Sequence, residues 1–219
     1  MIHNKSSHIF MMNKQRIEAL ADAVFAIVMT LLVIEIKVPE LHSTDITASE
    51  LWQELAELKP LYFSYFVSFA VLSMFWTSHH AFFQFFIKTL DRKLVQFNML
   101  YFSLIALIPF SSYLIGRYPN NLAAIQVYGS NIFMAGVTAI GIFLYAQKAK
   151  EIEVHTVERR MLKQASIRLI LTPFFALIGM LAGYLNITLA LILFAFPIVF
   201  NIIPGSLNFL EKVFRFRIE

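Results

Sequence analysis

Uncharged, apolar stretches close to the length of a bilayer crossing recur along this chain, and they leave few folds open. A helical crossing of the hydrocarbon core needs about 20 such residues. Lipid offers the backbone no hydrogen bonds, so only helices or a closed barrel can traverse it. Barrel strands alternate apolar and polar residues, and these runs do not alternate. The chain therefore reads as an all-α polytopic membrane protein. Its composition agrees, with 58% of residues hydrophobic, 15% charged and 23 Phe, whereas soluble domains are roughly half apolar and about a quarter charged. No stretch is left for a separate soluble domain. Residues 1–219 read as a single transmembrane domain of six spans, near 17–38, 60–87, 94–115, 122–146, 167–184 and 189–210.

Charge sets the expected topology. With six spans, the N-terminal segment, the turn around Lys88, Arg92 and Lys93, the charged segment from Lys148 to Lys163 and the C-terminal tail share one side. Only Lys37, Lys59 and Arg117, of 18 Lys and Arg, fall on the other. Basic residues favour the cytosolic face, so both termini are expected in the cytosol and the protein in the cell membrane. The segment MIHNKSSHIFMMNK lacks a signal peptide's basic-then-apolar pattern and reads as a short cytosolic lead-in. The net charge of +4 is accounted for by these loops rather than by nucleic acid. There are no cysteines, hence no disulfide, thiolate metal site or redox centre.

The outer connection after the first span is acidic, with Glu40, Asp45, Glu50, Glu54 and Glu57. Within it SELWQELAEL has leucines at helical spacing, and Ser49 is placed to cap a short surface helix. Pro60 suits the first turn of the second span, and Pro109 interrupts the third. Gly129, Gly136 and Gly141 on the fourth span are positioned to let membrane helices approach closely.

The first span carries the sharpest signal. It opens with Arg16, Glu18 and Asp22, runs uncharged from Ala23 to Ile34, and closes with Glu35, Lys37 and Pro39. An ionisable residue inside such a segment marks a functional site by default. At about 100° per residue, Ile27, Leu31 and Ile34 share one face and Thr30 borders it. Leu20, Ala23 or Val24, and Val38 extend the stripe. Asp22 sits roughly 140° round from Ile27, so it is expected to point sideways into neighbouring protein, where a carboxylate needs partners. Arg16 lies one and a half turns earlier. Trp76, His79, His80 and Asn98 fall at the same depth by the charge-derived topology, and indole, imidazole and amide all hydrogen-bond a carboxylate. Adjacent histidines point about 100° apart, so His79 and His80 do not converge on one metal. No metal site, cofactor or catalytic constellation is expected, and the chain does not read as an enzyme.

These same residues carry a family resemblance. Arg16, three residues, Leu20-Ala21-Asp22 and VFAIVMTLLVIEIKVP closely resemble the first-helix signature of the prokaryotic TMEM175 family of potassium-permeable channels, which has Phe-Ser-Asp before its aliphatic run. VSFAVLSMFWTSHH (Val67–His80) and NMLYFSLIALIPF (Asn98–Phe110) also look like that family, in the same order. The likeness covers roughly the first 115 residues; the remainder agrees in span count and hydropathy. It implies a homotetramer with four first helices around a central pore. Constriction layers would fall on Ile27, Thr30 or Leu31, and Ile34, and an anchoring network on Arg16, Asp22, Trp76, His79 or His80, and Asn98. Leu20 and Ala21 depart from the signature, and Ala21 removes a hydroxyl from any such network.

The expected function is passive conduction of K⁺ and other monovalent cations through an aliphatic constriction that dewets when closed. Discrimination by dehydration alone implies modest selectivity over Na⁺. The competing reading is a proton- or cation-coupled secondary transporter that uses Asp22 and the His79/His80 pair. It calls for inverted repeats and a midplane site, and the sequence displays neither.

Overall fold

The computed structural model describes residues 13–39, 46–149, 152–154 and 158–203. The N-terminal lead-in, Glu40, Asp45, Lys150, and the chain from Pro204 through the basic tail lie outside the described residues. Those described form eight helices: α1 (Lys14–Ile34), α2 (Ala48–Glu57), α3 (Lys59–Phe85), α4 (Arg92–Ala106), α5 (Ile108–Arg117), α6 (Leu122–Lys148), α7 (Arg159–Ala182) and α8 (Ile187–Ile202). The protein is all-α, and its β content among the described residues is one isolated antiparallel bridge, Ile87 to Val154.

Five stretches are long and apolar enough to cross a membrane: α1, α3, the α4–α5 pair, α6 and α7. The apolar α8 has 16 residues, about 24 Å of helix. Pro109 explains why α4 and α5 are two helices. It has no N–H, and its ring would strike the carbonyl four residues back. The helix tightens at Leu107, whose N–H reaches Leu104 O instead. Side-chain caps set the starts of α1, α4, α6 and α8 at Asn13, Asp91, Asn121 and Asn186.

The start of α2 differs from the expected Ser49 cap. Thr47 caps the helix, and Glu50 returns the bond, which Ser49 has no partner to do. The Thr47 amide and hydroxyl donate to Glu50 Oε2 at 2.9 and 2.8 Å and lower the pKa of that carboxyl. The cap is complete above the unfolded-state pKa and is lost as pH falls through the lowered value.

One contiguous core joins the helices. α1 packs on α3, α4 and α5, while α6, α7 and α8 form a second group that meets the first through α4, α5 and α3. At Gly136 α6 approaches α7 closely: a Cβ there would lie 2.8 Å from Cδ of Pro173. A proline ring inside a helix has little room to retreat, so Gly136→Ala should destabilise the fold by about 1–3 kcal/mol, seen as a lower melting temperature in detergent. An unchanged melt would show that α7 shifts freely. Gly141 meets nothing within 4 Å, so the close approach expected there does not occur within the subunit.

On one face of the bundle the α3–α4 turn is tied to the α6–α7 connector. Lys88 N–H donates to Glu153 O at 2.8 Å, and Glu153 N–H donates to Thr89 Oγ1 at 2.8 Å. Ile87, Leu90 and Ile152 are buried beneath this contact.

Candidate functional site

α1 is apolar on all sides, and the fold divides it into two faces. Ile17, Ala21, Phe25, Val28 and Leu32 are buried against the subunit. Their spacing of four, four, three and four is one side of a 3.6-residue helix. The other side is uncovered: Ile27 is 58% exposed, Leu31 42% and Ile34 64%, and Thr30 is exposed with them. The Thr30 hydroxyl is shared between the carbonyls of Ile27 (2.8 Å) and Ala26 (3.1 Å). Its proton is thus engaged on its own helix, and the oxygen keeps acceptor capacity. Leu20 and Ala23 continue the uncovered side and Val24 is half-buried. Val38, expected to extend the stripe, lies beyond the end of the helix.

The polar residues expected to form a single anchor separate into two arms. In one, Trp76 Nε1 donates to Asp22 Oδ1 at 2.8 Å and links α3 to α1. His80, one turn further along α3, stacks on the indole at 5.5 Å. Asp22 itself is exposed on the surface of the single subunit.

In the second arm, His79 Nε2 meets Asn98 Oδ1 at 2.8 Å, and Asn98 Nδ2 donates to Leu94 O at 2.7 Å. That second bond fixes the amide orientation, so the His79 nitrogen is the donor. The imidazole lies between the rings of Phe83 (4.4 Å) and Tyr101 (5.7 Å), stacked on both. This arm joins α3 to α4 and is buried, with Asn98 fully enclosed. Arg16 belongs to neither arm. It is exposed, with no carboxylate partner among the described residues, and the ion pair beside it joins Lys14 to Glu18. Replacing Asn98 with leucine keeps the branched shape but strands the His79 N–H. It should cost about 1–3 kcal/mol, measured as a lower melting temperature, and an unaltered melt would mean that water takes the place of the amide.

Interior polar contacts went unanticipated. Ser68 and Tyr128 hydroxyls lie 3.0 Å apart, Asn131 Nδ2 donates to Ser111 Oγ at 3.0 Å, and Ser112 donates to Ser64 O. Their signal in the sequence is phase: Ser64 and Ser68 lead into Leu72 and Val71 on the buried side of α3. No local motif marks which distant helix each would meet.

Comparison with known proteins places these features in context. A model of the family described as "Endosomal/lysosomal potassium channel TMEM175" matches residues 16–109. A potassium channel of Chamaesiphon minutus is 36% identical over 157 residues, covering 66% of this chain and 75% of that protein. A potassium channel of Streptomyces collinus is 36% identical over 103 residues, 47% of this chain and 48% of its own length. The chicken endosomal/lysosomal proton channel TMEM175 is 31% identical over 143 residues, 62% of this chain and 28% of the longer protein. The chain thus spans about half of the Streptomyces protein and little more than a quarter of the chicken one. The crystal structure of a lysosomal potassium-selective channel TMEM175 homolog from Chamaesiphon minutus superposes with a TM-score of 0.74 at 25% identity, covering 85% of this chain and 95% of that one.

Proposed function

This chain belongs to the TMEM175 family of ion channels, and we propose that it is a potassium-permeable cation channel whose constriction is the α1 stripe of Ile27, Thr30, Leu31 and Ile34. One observation carries the reading: the uncharged stretch of α1 turns Ile27, Leu31 and Ile34 away from its own subunit. Four copies related by a central axis would convert that uncovered stripe into the wall of a pore, with residues 1–219 as one channel domain per subunit and both termini in the cytosol.

The mechanism follows from the side chains. Rings of isoleucine and leucine give passing water nothing to bond, so a narrow pore dewets and closes. A modest rotation of α1 would widen it for a partly hydrated ion. Thr30, its proton held by its own helix, would offer one acceptor oxygen per subunit to an ion that is shedding water. Around the outer mouth, α2 carries Glu50, Glu54 and Glu57 at its surface. Repeated by symmetry, this acidic rim would raise the local cation concentration. Asp22 stays out of the ion path in this arrangement. With Trp76 and His80 it holds the cytosolic end of α1 to α3, while His79 and Asn98 hold α3 to α4, so that the stripe faces the axis.

Planar-bilayer recording of the purified protein, with K⁺ and Na⁺ on opposite sides, tests this directly. Discrete unitary currents reversing on the K⁺-preferring side, with measurable Na⁺ permeation, are expected. Saturable proton-coupled flux without unitary currents would replace the channel with a coupled transporter working through Asp22 and the His79/His80 pair. Strict K⁺ selectivity would rule out aliphatic dehydration as the filter.

A further inference from the structure

A second site lies away from the α1 stripe. Between α3 and the α6–α7–α8 group runs a cavity of about 660 Å³, and no residue of α1 lines it. This is the size of sites that hold a small organic ligand or a lipid tail. Its wall is aromatic and aliphatic, with Phe69, Phe82, Phe85, Ile142 and Phe143 among the lining residues. One charged side chain reaches it, Arg168 on α7, and no Asp or Glu is part of the lining.

Arg168 is held in place by an uncharged partner. Its Nη1 donates to Asn201 Oδ1 at 3.0 Å and to the Asn201 carbonyl at 3.3 Å. Asn201 Nδ2 donates to Pro197 O at 2.8 Å, which orients the amide so that its oxygen faces the guanidinium. The contacts use one nitrogen of the guanidinium fork, and among the described residues no carboxylate pairs with it. A half-buried guanidinium within a membrane bundle is costly without a counter-charge. The group that best fits the open part of the fork is a tetrahedral or planar oxyanion, bound through two parallel bonds. The approach is basic as well, since Arg159, Arg160 and Lys163 precede Arg168 on α7. Arg168 itself sits nine residues in, about 14 Å along the axis.

We propose that this groove is a specific site for an anionic phospholipid, its phosphate on Arg168 and an acyl chain along the aromatic wall of α3 and α6. Charge complementarity selects the headgroup, and the apolar lining selects a lipid over free phosphate. Basic pockets between membrane helices bind acidic lipid headgroups on the same physical grounds.

The test uses the full chain purified in mild detergent and supplied with phosphatidylglycerol, phosphatidylcholine or inorganic phosphate. Bound lipid is read by native mass spectrometry and stabilisation by the melting temperature. The wild type should retain phosphatidylglycerol in preference to phosphatidylcholine and gain no stability from inorganic phosphate. Arg168→Gln should lower phosphatidylglycerol retention roughly tenfold or more, the loss of one charge-assisted contact, and Arg168→Lys should restore part of it. Ala165 is exposed on the groove wall, so Ala165→Phe fills the cavity with Arg168 intact and should also abolish retention. That variant decides the matter if Arg168→Gln does not fold. Equal retention of both lipids, wild-type retention in Ala165→Phe, or a density map showing protein seated in the groove would overturn the proposal.

Discussion

With asparagine in place of Ile27, the reconstituted channel should carry a resting cation current roughly ten- to a hundredfold above wild type, a barrier lowered by about 1.4–2.8 kcal/mol. The substitution acts on the uncovered side of α1, where Ile27 is 58% exposed within the subunit. The packed side, Phe25 and Val28, is untouched. Asparagine lowers helix propensity only slightly, so the helix should persist while a ring of carboxamides would hold water at the proposed constriction. Bilayer recording at fixed voltage measures this. An unchanged current would put Ile27 between subunits instead of on the axis, and the same substitution at Leu31 or Ile34 would then locate the constriction.

Asp22→Ala should break the assembly. The carboxylate accepts the Trp76 indole proton at 2.8 Å, and its removal leaves that N–H without its partner on α1. The cost is about 0.5–1.5 kcal/mol per subunit, and it would recur in every copy of the proposed tetramer. Size-exclusion chromatography with light scattering should show a shift from oligomer to monomer, and macroscopic current should fall with it. Asp22→Asn keeps an acceptor oxygen and should restore most of the assembly, whereas Trp76→Phe should reproduce the alanine phenotype. A stable oligomer with normal current in Asp22→Ala would reduce Asp22 to an interfacial charge.

The two faces of α1 show how far the sequence could be read. Composition and run length were enough for the helical class, and the spacing of Ile27, Leu31 and Ile34 put them on one side. Hydropathy could not say which side met the subunit, because Val28 and Leu32 are as apolar as Ile27 and Leu31. The third dimension settles it: Ala21 and Phe25 are buried on one side, and the Phe25 ring lies 6.2 Å from that of Tyr101 on α4. The break at Pro109 was legible because its cause is local. By contrast, the division of labour between His79 and His80 was not. It depends on Asn98 lying beside one of two adjacent residues on another helix. The Arg168–Asn201 contact joins positions 33 apart in the chain, and no periodicity connects them. Ser49 was the wrong cap because a reciprocal partner matters more than a hydroxyl alone. Thr47 has Glu50 three residues on.

The tie between the α3–α4 turn and the α6–α7 connector has a mechanical meaning. By joining Ile87 to Val154 it closes a circuit of chain around α4, α5 and α6. Shearing any of these helices against α3 must strain backbone bonds at that face. α1 has no such tether: among the described residues its polar attachment to the rest of the subunit is the single indole bond to Asp22, and its remaining grip is smooth apolar packing. The subunit is therefore built as a braced stator with one loosely keyed rotor. Among the long apolar helices described, turning α1 about its own axis would break the fewest polar contacts, and the bond from Trp76 would set its angle.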